Sequence, residues 1–357
     1  MECSTMLKTA VERQASDIFI VAGTPLTVKI NGEMIRLDDQ RLTPEMTETM
    51  IQEIFKLSQN RTMHRLQQTG EDDFSFSLTQ MGRFRVNVYR QRGSLAAVLR
   101  VVRFVLPDAK ELNIDEQILS FAHLKKGLVL ITGAAGSGKS TTLACLIDAI
   151  NRSRSGHIIT IEDPIEVLHR HRQSIVSQRE IGQDTPDYIH ALTAALREAP
   201  DVILVGEMRD LETMQTVLSA AETGHLVFSS LHTTGAANTI NRIIDVFPAE
   251  KQQQIRVQLS MVLQAIVSQQ LVPAVGGGLI PAFEIMKVNN AVQTQIRENK
   301  IHQIDNTIQA NARDGMVTMD VSLLSLLKAG RITKETALLA CSDPDLMRKR
   351  LAATNLI

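Results

Sequence analysis

Apolar positions alternate in short runs over the first hundred residues. Leu26, Val28 and Ile30 share one face up to Asn31-Gly32, a two-residue hairpin signal, and a second strand is predicted through Met34 to Leu37. Thr43-Pro44 has the form of an N-cap followed by proline at the first helical position. Met46, Met50, Ile51, Ile54 and Leu57 then fall on one helical face. Alternation returns at Phe74, Phe76 and Leu78 and again at Phe84, Val86 and Val88, with a turn around Gly82, which turns Arg85, Asn87 and Tyr89 to the opposite face. A further strand is predicted from Leu95 to Arg103, and the polar stretch from Pro107-Asp108 to Asn113 reads as a linker. The pattern is α+β.

From Ile114 onward the period changes. Leu128–Thr132, Ile158–Ile161, Val202–Val205 and Leu226–Phe228 are short and continuously apolar, the pattern of parallel strands buried on both faces, and helices are predicted between them. Gly276-Gly277-Gly278 marks a turn, after which the tail is expected to be helical. Leu323, Leu324 and Leu327 line one helix that stops at Gly330, and Asp343-Pro344 opens another. No internal repeat is present.

Composition narrows the function classes. The chain has 357 residues, 44% hydrophobic and 22% charged, enough for a sizeable core and two domains. A net charge of −1 and a pI near 6.8 supply no basic field to gather nucleic acid, and aromatics at 3% offer few stacking platforms. Cys3, Cys145 and Cys341 are scattered without CxxC spacing, which suits a reducing cytoplasm. Met1 to Val21 lacks a signal-peptide pattern, and no apolar run approaches the ~18 to 20 residues that span a bilayer, so any membrane role is expected to go through a partner.

The chemistry begins at Leu128–Leu143, LVLITGAAGSGKSTTL. Gly133, Gly138, Lys139 and Ser140 satisfy GxxxxGK[ST], preceded by a predicted strand and followed by a helix-compatible stretch. Backbone N–H groups across Gly133, Ala134, Ala135, Gly136, Ser137, Gly138, Lys139, Ser140 and Thr141 can turn inward on phosphate oxygens, aided by the dipole of the helix that starts there. Lys139 would meet the β- and γ-phosphates of ATP, and the Ser140 hydroxyl would reach Mg²⁺.

Two strand ends add carboxylates. IITIEDPIEV places Glu162, Asp163 and Glu166 at the C-terminal edge of the sheet, where ligands bind in this architecture. PDVILVGEMRD places Glu207 at the next such edge, suited to polarise an attacking water. Gly206 stands where an aspartate that helps hold Mg²⁺ is usual, leaving the metal to Ser140 and water with help from Glu162 and Asp163. A solvated loop is the alternative for these acids. His225 and His232 bracket a predicted strand seven residues apart, too far for a shared zinc and without a third ligand. His232, beside Thr233 and Thr234 at the C-terminal end, suits a γ-phosphate sensor; His225 suits a structural role equally well. Arg209 is a further candidate cation, with Glu212 or Asp210 as expected partners.

Taken together, these four stretches resemble, in order, the Walker A motif, acidic box, Walker B motif and histidine box of the secretion-ATPase superfamily that drives type II secretion and type IV pili. The resemblance is greatest to the pilus retraction ATPases. ASDIFIVAG, GRFRVNVYRQRGSLAAVLR, SQQLVP and HQIDNTIQANARDGMVTMD extend it over nearly the whole chain. It implies an α/β chain with a RecA-like P-loop ATPase domain preceded by a smaller α+β PAS-like domain, and a helical C-terminal tail. The expected divisions are 1–105, a linker at 106–115, and 116–357 with a helical region at 290–357. It further implies a homohexamer with ATP between domains. Arg85 and Arg100 are the candidates to complete the site with positive charge, a solvated strand face being the plainer reading of both.

The implied activity is ATP hydrolysis that powers pilus retraction. The motor would sit at the cytoplasmic face of the inner membrane and act through a platform protein, and so indirectly on the pilin filament. Two departures matter. The family's AIRNLI helix, associated with retraction, is here Ala291-Val292-Gln293-Thr294-Gln295-Ile296, and Ser229-Ser230 replaces the commoner Gly-Thr before the second histidine. The first keeps open an assembly ATPase that drives pilus, pseudopilus or type II secretion polymerisation. A non-hydrolytic nucleotide sensor and a DNA-translocating motor are the more distant alternatives.

Overall fold

A computed structural model describes residues 3–353 except 31, 60, 80 and 103–105. Asn31 of the expected hairpin turn and Arg103 of the expected strand end lie outside the described residues. Spatial proximity divides the chain into one unit of Met1–Val105 with Glu166–Leu168 and another of Leu106–Ile165 with His169–Ile357.

The first unit runs α1 (Cys3–Glu12), β1 (Asp17–Ile20), β2 (Pro25–Ile30), β3 (Glu33–Arg41), α2 (Pro44–Leu57), α3 (His64–Thr69), β4 (Glu71–Leu78), β5 (Gly82–Gln91) and β6 (Ser94–Val102). Its six strands form an antiparallel sheet in the order β3-β2-β1-β6-β5-β4. Met6 and Leu7 of α1 and Ile51 and Ile54 of α2 share a core with Ile18, Phe84, Val86 and Leu99 of the sheet. The start of α2 follows from Thr43, whose Oγ1 accepts the Met46 N–H at 3.3 Å, with Pro44 opening the helix. On β5 the alternation buries Phe84, Val86 and Val88 and turns Arg85 outward, directly across from Arg100 on β6.

The second unit begins with α4 (Glu116–Leu119), β7 (Gly127–Thr132), α5 (Lys139–Ser153), β8 (His157–Glu162), β9 (Ile175–Glu180), α6 (Tyr188–Ala195) and β10 (Val202–Val205). It continues through α7 (Leu211–Glu222), β11 (Leu226–Leu231), α8 (Ala236–Asp245), α9 (Ala249–Val262), β12 (Leu263–Pro273) and β13 (Leu279–Lys287). The sheet order is β13-β12-β7-β11-β10-β8-β9, parallel throughout except for the β12/β13 pair. β7, β10 and β11 are buried at every position, because α5 covers one face and α6 to α9 the other.

The glycine turn at 276–278 corrects one expectation. It closes an antiparallel hairpin and leads into β13, whose interior is buried, before the tail turns helical at α10 (Asn290–Arg297). Then follow α11 (Ile304–Ala310), α12 (Met319–Lys328), α13 (Lys334–Ala340) and α14 (Pro344–Ala353). The last three enclose a small apolar cluster of Met319, Leu323, Ala337 and Met347 with Val272 and Ala282 of the hairpin. Among the described residues no helix is long and apolar enough to cross a membrane.

Candidate functional site

Parallel strands deliver their C-terminal ends to one edge, and the second unit gathers most of its candidate chemistry there. β7 ends at Thr132 and the chain enters the glycine turn. Gly133 has φ +143°, and a β-carbon on it would collide with the Gln269 carbonyl oxygen and approach Ser137 Oγ to 2.7 Å. Only glycine fits there. Ala134, Ala135, Gly136 and Ser140 are exposed along the turn, whereas Ser137 and Lys139 are buried. The loop closes on Gly138 at φ +87°, and no side chain caps the 15-residue helix α5 that follows. Its first-turn N–H groups therefore carry the helix dipole toward the turn, the arrangement that receives phosphate.

Lys139 lies along the inside of this loop. Its Nζ donates to the carbonyls of Gly133 and Ala134, each at 2.9 Å, and lies 3.5 Å from His232 Nδ1. An ammonium has no lone pair to offer, so the tautomer that carries its proton on Nε2 is the one that suits this contact. That nitrogen is 3.1 Å from Glu207 Oε2, and the other carboxylate oxygen, Oε1, pairs with Arg209 Nη2 at 2.6 Å. One neutral tautomer thus satisfies both contacts of His232. The expected partners of Arg209, Glu212 and Asp210, are replaced by Glu207. This bond and the charge of Glu207 together hold the guanidinium more firmly protonated than usual.

Glu207 is only 8% exposed, and the surrounding strands fix its place. Gly206 N–H donates to Ile161 O at 2.8 Å and Met208 N–H to Ser230 O at 3.1 Å, which extends sheet pairing on both sides of the glutamate. Ser229 and Ser230 donate to the carbonyls of Val205 and Gly206 at 2.7 and 2.6 Å. The two serines therefore grip the strand that carries Glu207. A β-carbon at 206 would stand 3.1 Å from the Tyr188 hydroxyl and 3.3 Å from Ile161 O, which accounts for glycine where an aspartate is usual. Burial raises the Tyr188 phenol well above its usual range, reinforced by the negative charges of Glu207 and Asp163.

The other candidates are placed as follows. Glu162 ends β8 half-buried, its Oε1 accepting from Thr160 Oγ1 at 2.6 Å and from Gln178 Nε2 at 3.3 Å. Asp163 is exposed beside it, and Glu166 is exposed in the loop that follows. His225 is not brought to this edge. It precedes β11 at the opposite end of the sheet, where its Nδ1 lies 3.0 Å from Ala220 O and 3.2 Å from Thr223 Oγ1. In the first unit Arg85 and Arg100 stand side by side, Arg85 paired with Asp73 at 3.4 Å and Arg100 with Asp17 at 3.1 Å. These acids offset the repulsion of two like charges directly opposed across strands.

Four residues of the site were not among the sequence candidates. Tyr188 supports the Glu207 edge, Gln269 underlies the glycine turn, and Ser268 and Glu284 hold the chain just after His232. Only SQQLVP, noted as a stretch of resemblance, pointed near any of them.

A family model described as type II/IV secretion system protein matches residues 2–303. The chain is 42% identical over 337 residues to the type IV pilus retractation ATPase PilT of Pseudomonas aeruginosa, covering 94% of this chain and 97% of that one. It is 44% identical over 335 residues to the twitching motility protein of Neisseria gonorrhoeae, covering 93% and 88%. A crystal structure of the pilus retraction motor PilT with bound ADP superposes with a TM-score of 0.89 at 47% identity, over 98% of this chain and 99% of that one.

Proposed function

The chain belongs to the type II/IV secretion system protein family, and from that premise we propose that it is an ATPase motor that powers type IV pilus retraction. The observation that carries the reading is the Lys139–His232–Glu207 alignment at the P-loop edge of the sheet. Lys139 is proposed to turn from the Gly133 and Ala134 carbonyls to the β- and γ-phosphates of ATP. Glu207 is proposed as the base that polarises the attacking water, oriented by His232 and steadied by Arg209. His232 is also proposed to report the γ-phosphate to the segment that leads into α8.

A hydroxyl and two carboxylates are hard oxygen donors suited to Mg²⁺, and we assign the ion to Ser140 with Glu162 and Asp163, partly through water. Those residues would hold the ion, which when bound would supply positive charge against the charge that develops on phosphoryl transfer. Arg85 and Arg100 are proposed as the arginines that add to this stabilisation, and Glu166 as a second catalytic acid in addition to Glu207. The assembly proposed is a homohexamer at the cytoplasmic face of the inner membrane. It would act on a platform protein and through it on the pilin filament, without nucleic acid.

A second reading, an assembly ATPase of the same superfamily, is favoured by one observation. Gln293 and Thr294 on α10 replace the arginine and asparagine expected of a retraction motor. Deleting the gene and counting surface pili separates the two. Surplus pili are expected for retraction, absent pili transfer the chain to assembly, and an unchanged count contradicts both.

A further inference from the structure

Successive residues of a strand point to opposite faces, and two neighbours on β12 use this to hold both halves of the site. Gln269 points to the α5 face. Its Oε1 accepts a 2.7 Å bond from Thr142 Oγ1 in the first turn of that helix, with Gln269 and Thr142 only 3% and 1% exposed. Its backbone carbonyl fills the space a β-carbon on Gly133 would need, and its Nε2 stands 2.8 Å from where a β-carbon on Gly138 would lie. β12 therefore abuts the first and last glycines of the turn as well as its helix.

Ser268 points the other way. Its Oγ accepts the Gly235 N–H at 2.9 Å, three residues after His232. Directly across the hairpin Glu284 accepts the next donor, Ala236 N–H, at 2.8 Å. The segment carrying His232 is thus tied to the strand that braces the phosphate loop.

We propose that Ser268 and Gln269 are a positioning pair that fixes the phosphate loop and the His232 segment against each other. Gln269 sets the loop that grips nucleotide, and Ser268 sets the histidine that orients Glu207. The proposal rests on the ATPase reading above. It predicts opposite kinetic signatures for adjacent residues. Losing the Gln269 amide frees the loop and weakens nucleotide binding, whereas losing the Ser268 hydroxyl frees the histidine and slows turnover.

The experiment uses the full chain and measures ADP affinity by calorimetry with KM and kcat for ATP. Gln269→Leu and Thr142→Val should each weaken ADP about tenfold, and the double variant should be no weaker than either single. Ser268→Ala should lower kcat about tenfold with ADP affinity within about twofold, and Ser268→Thr should recover most of kcat. Multiplied losses in the Thr142/Gln269 double variant, or equal losses of affinity and turnover at both positions, overturn the proposal. Should Gln269→Leu not fold, Thr142→Val against Thr142→Ser decides, because serine keeps the hydroxyl. Lys139→Ala serves as the reference. If it binds and hydrolyses normally, the ATPase reading itself fails; if it is inert while Gln269→Leu and Ser268→Ala match the native chain, only the pair fails.

Discussion

His232 stands between the glycine-turn lysine and the strand-tip acid, its Nε2 3.1 Å from Glu207 Oε2 and its Nδ1 3.5 Å from Lys139 Nζ. Removing the imidazole leaves Glu207 paired with Arg209 but unoriented on its other oxygen. His232→Ala should therefore lower kcat by about tenfold to hundredfold, with ADP affinity changed by less than about threefold. Calorimetry beside steady-state kinetics checks this, and an equal loss in both quantities would count against an orienting role.

Gly206 is held between Tyr188 and β8. Gly206→Ala places a β-carbon 3.1 Å from the Tyr188 hydroxyl and 3.3 Å from Ile161 O, at the residue before Glu207. The expected cost is about 1–3 kcal/mol of stability, with a fall in kcat as the glutamate shifts. Tyr188→Phe in the same background removes the closer oxygen and should restore part of both. Thermal unfolding and turnover of the single and double variants read the effect, and no recovery in the double would refute the steric account.

The parts of this site legible in sequence are those where phosphate chemistry leaves few alternatives. Gly133, Gly138, Lys139 and Ser140 are tightly spaced, and Glu207 follows four continuously buried apolar residues. β12 and β13 were not foreseen because β12 carries polar residues inward. Ser268 and Gln269 are buried and partnered by residues far away in sequence, Thr142 lying 127 positions from Gln269. β9 was equally unmarked, since its IVSQRE pattern belongs to a sheet edge and shows little continuous apolar character. Sequence proximity offers Arg209 the acids Asp210 and Glu212, but the strand tip brings it to Glu207 instead.

Glu284 gives a pH dependence with a definite sign. Burial lifts its pKa above the ordinary 4.5, aided by the Asp305 and Asp320 carboxylates and opposed by the Ala236 and Met319 N–H groups. A raised folded-state value means that the unfolded chain loses its proton first, so this group's contribution declines as pH climbs from 4.5 through the raised value. Glu284→Gln keeps an acceptor for Ala236 N–H without the buried charge and should remove that decline, matching or exceeding native stability at pH 8. Glu284→Leu should lose about 1–3 kcal/mol. Denaturant unfolding at several pH values is the check, and a glutamine variant as unstable as the leucine one at pH 8 contradicts it.

Burial pushes the Cys3 and Cys145 thiols up to about 12, with nearby Glu53 in the first case and Asp148 and Asp108 in the second adding to the effect. At pH 8 about one thiol in ten thousand is then thiolate at either position. Iodoacetamide should modify half-buried Cys341 first in the native chain and all three cysteines alike in denaturant. Peptide mass spectrometry reads the order, and equal native labelling of Cys145 and Cys341 would rule out this packing.

The most direct test of the account is Mg²⁺-dependent ATP turnover by the purified chain beside Lys139→Ala and Glu207→Gln. The arrangement predicts hydrolysis in the native chain, loss of nucleotide binding with lysine removed, and retained ADP binding with at least about a hundredfold lower kcat in the glutamine variant. Hydrolysis that persists in both variants would contradict it.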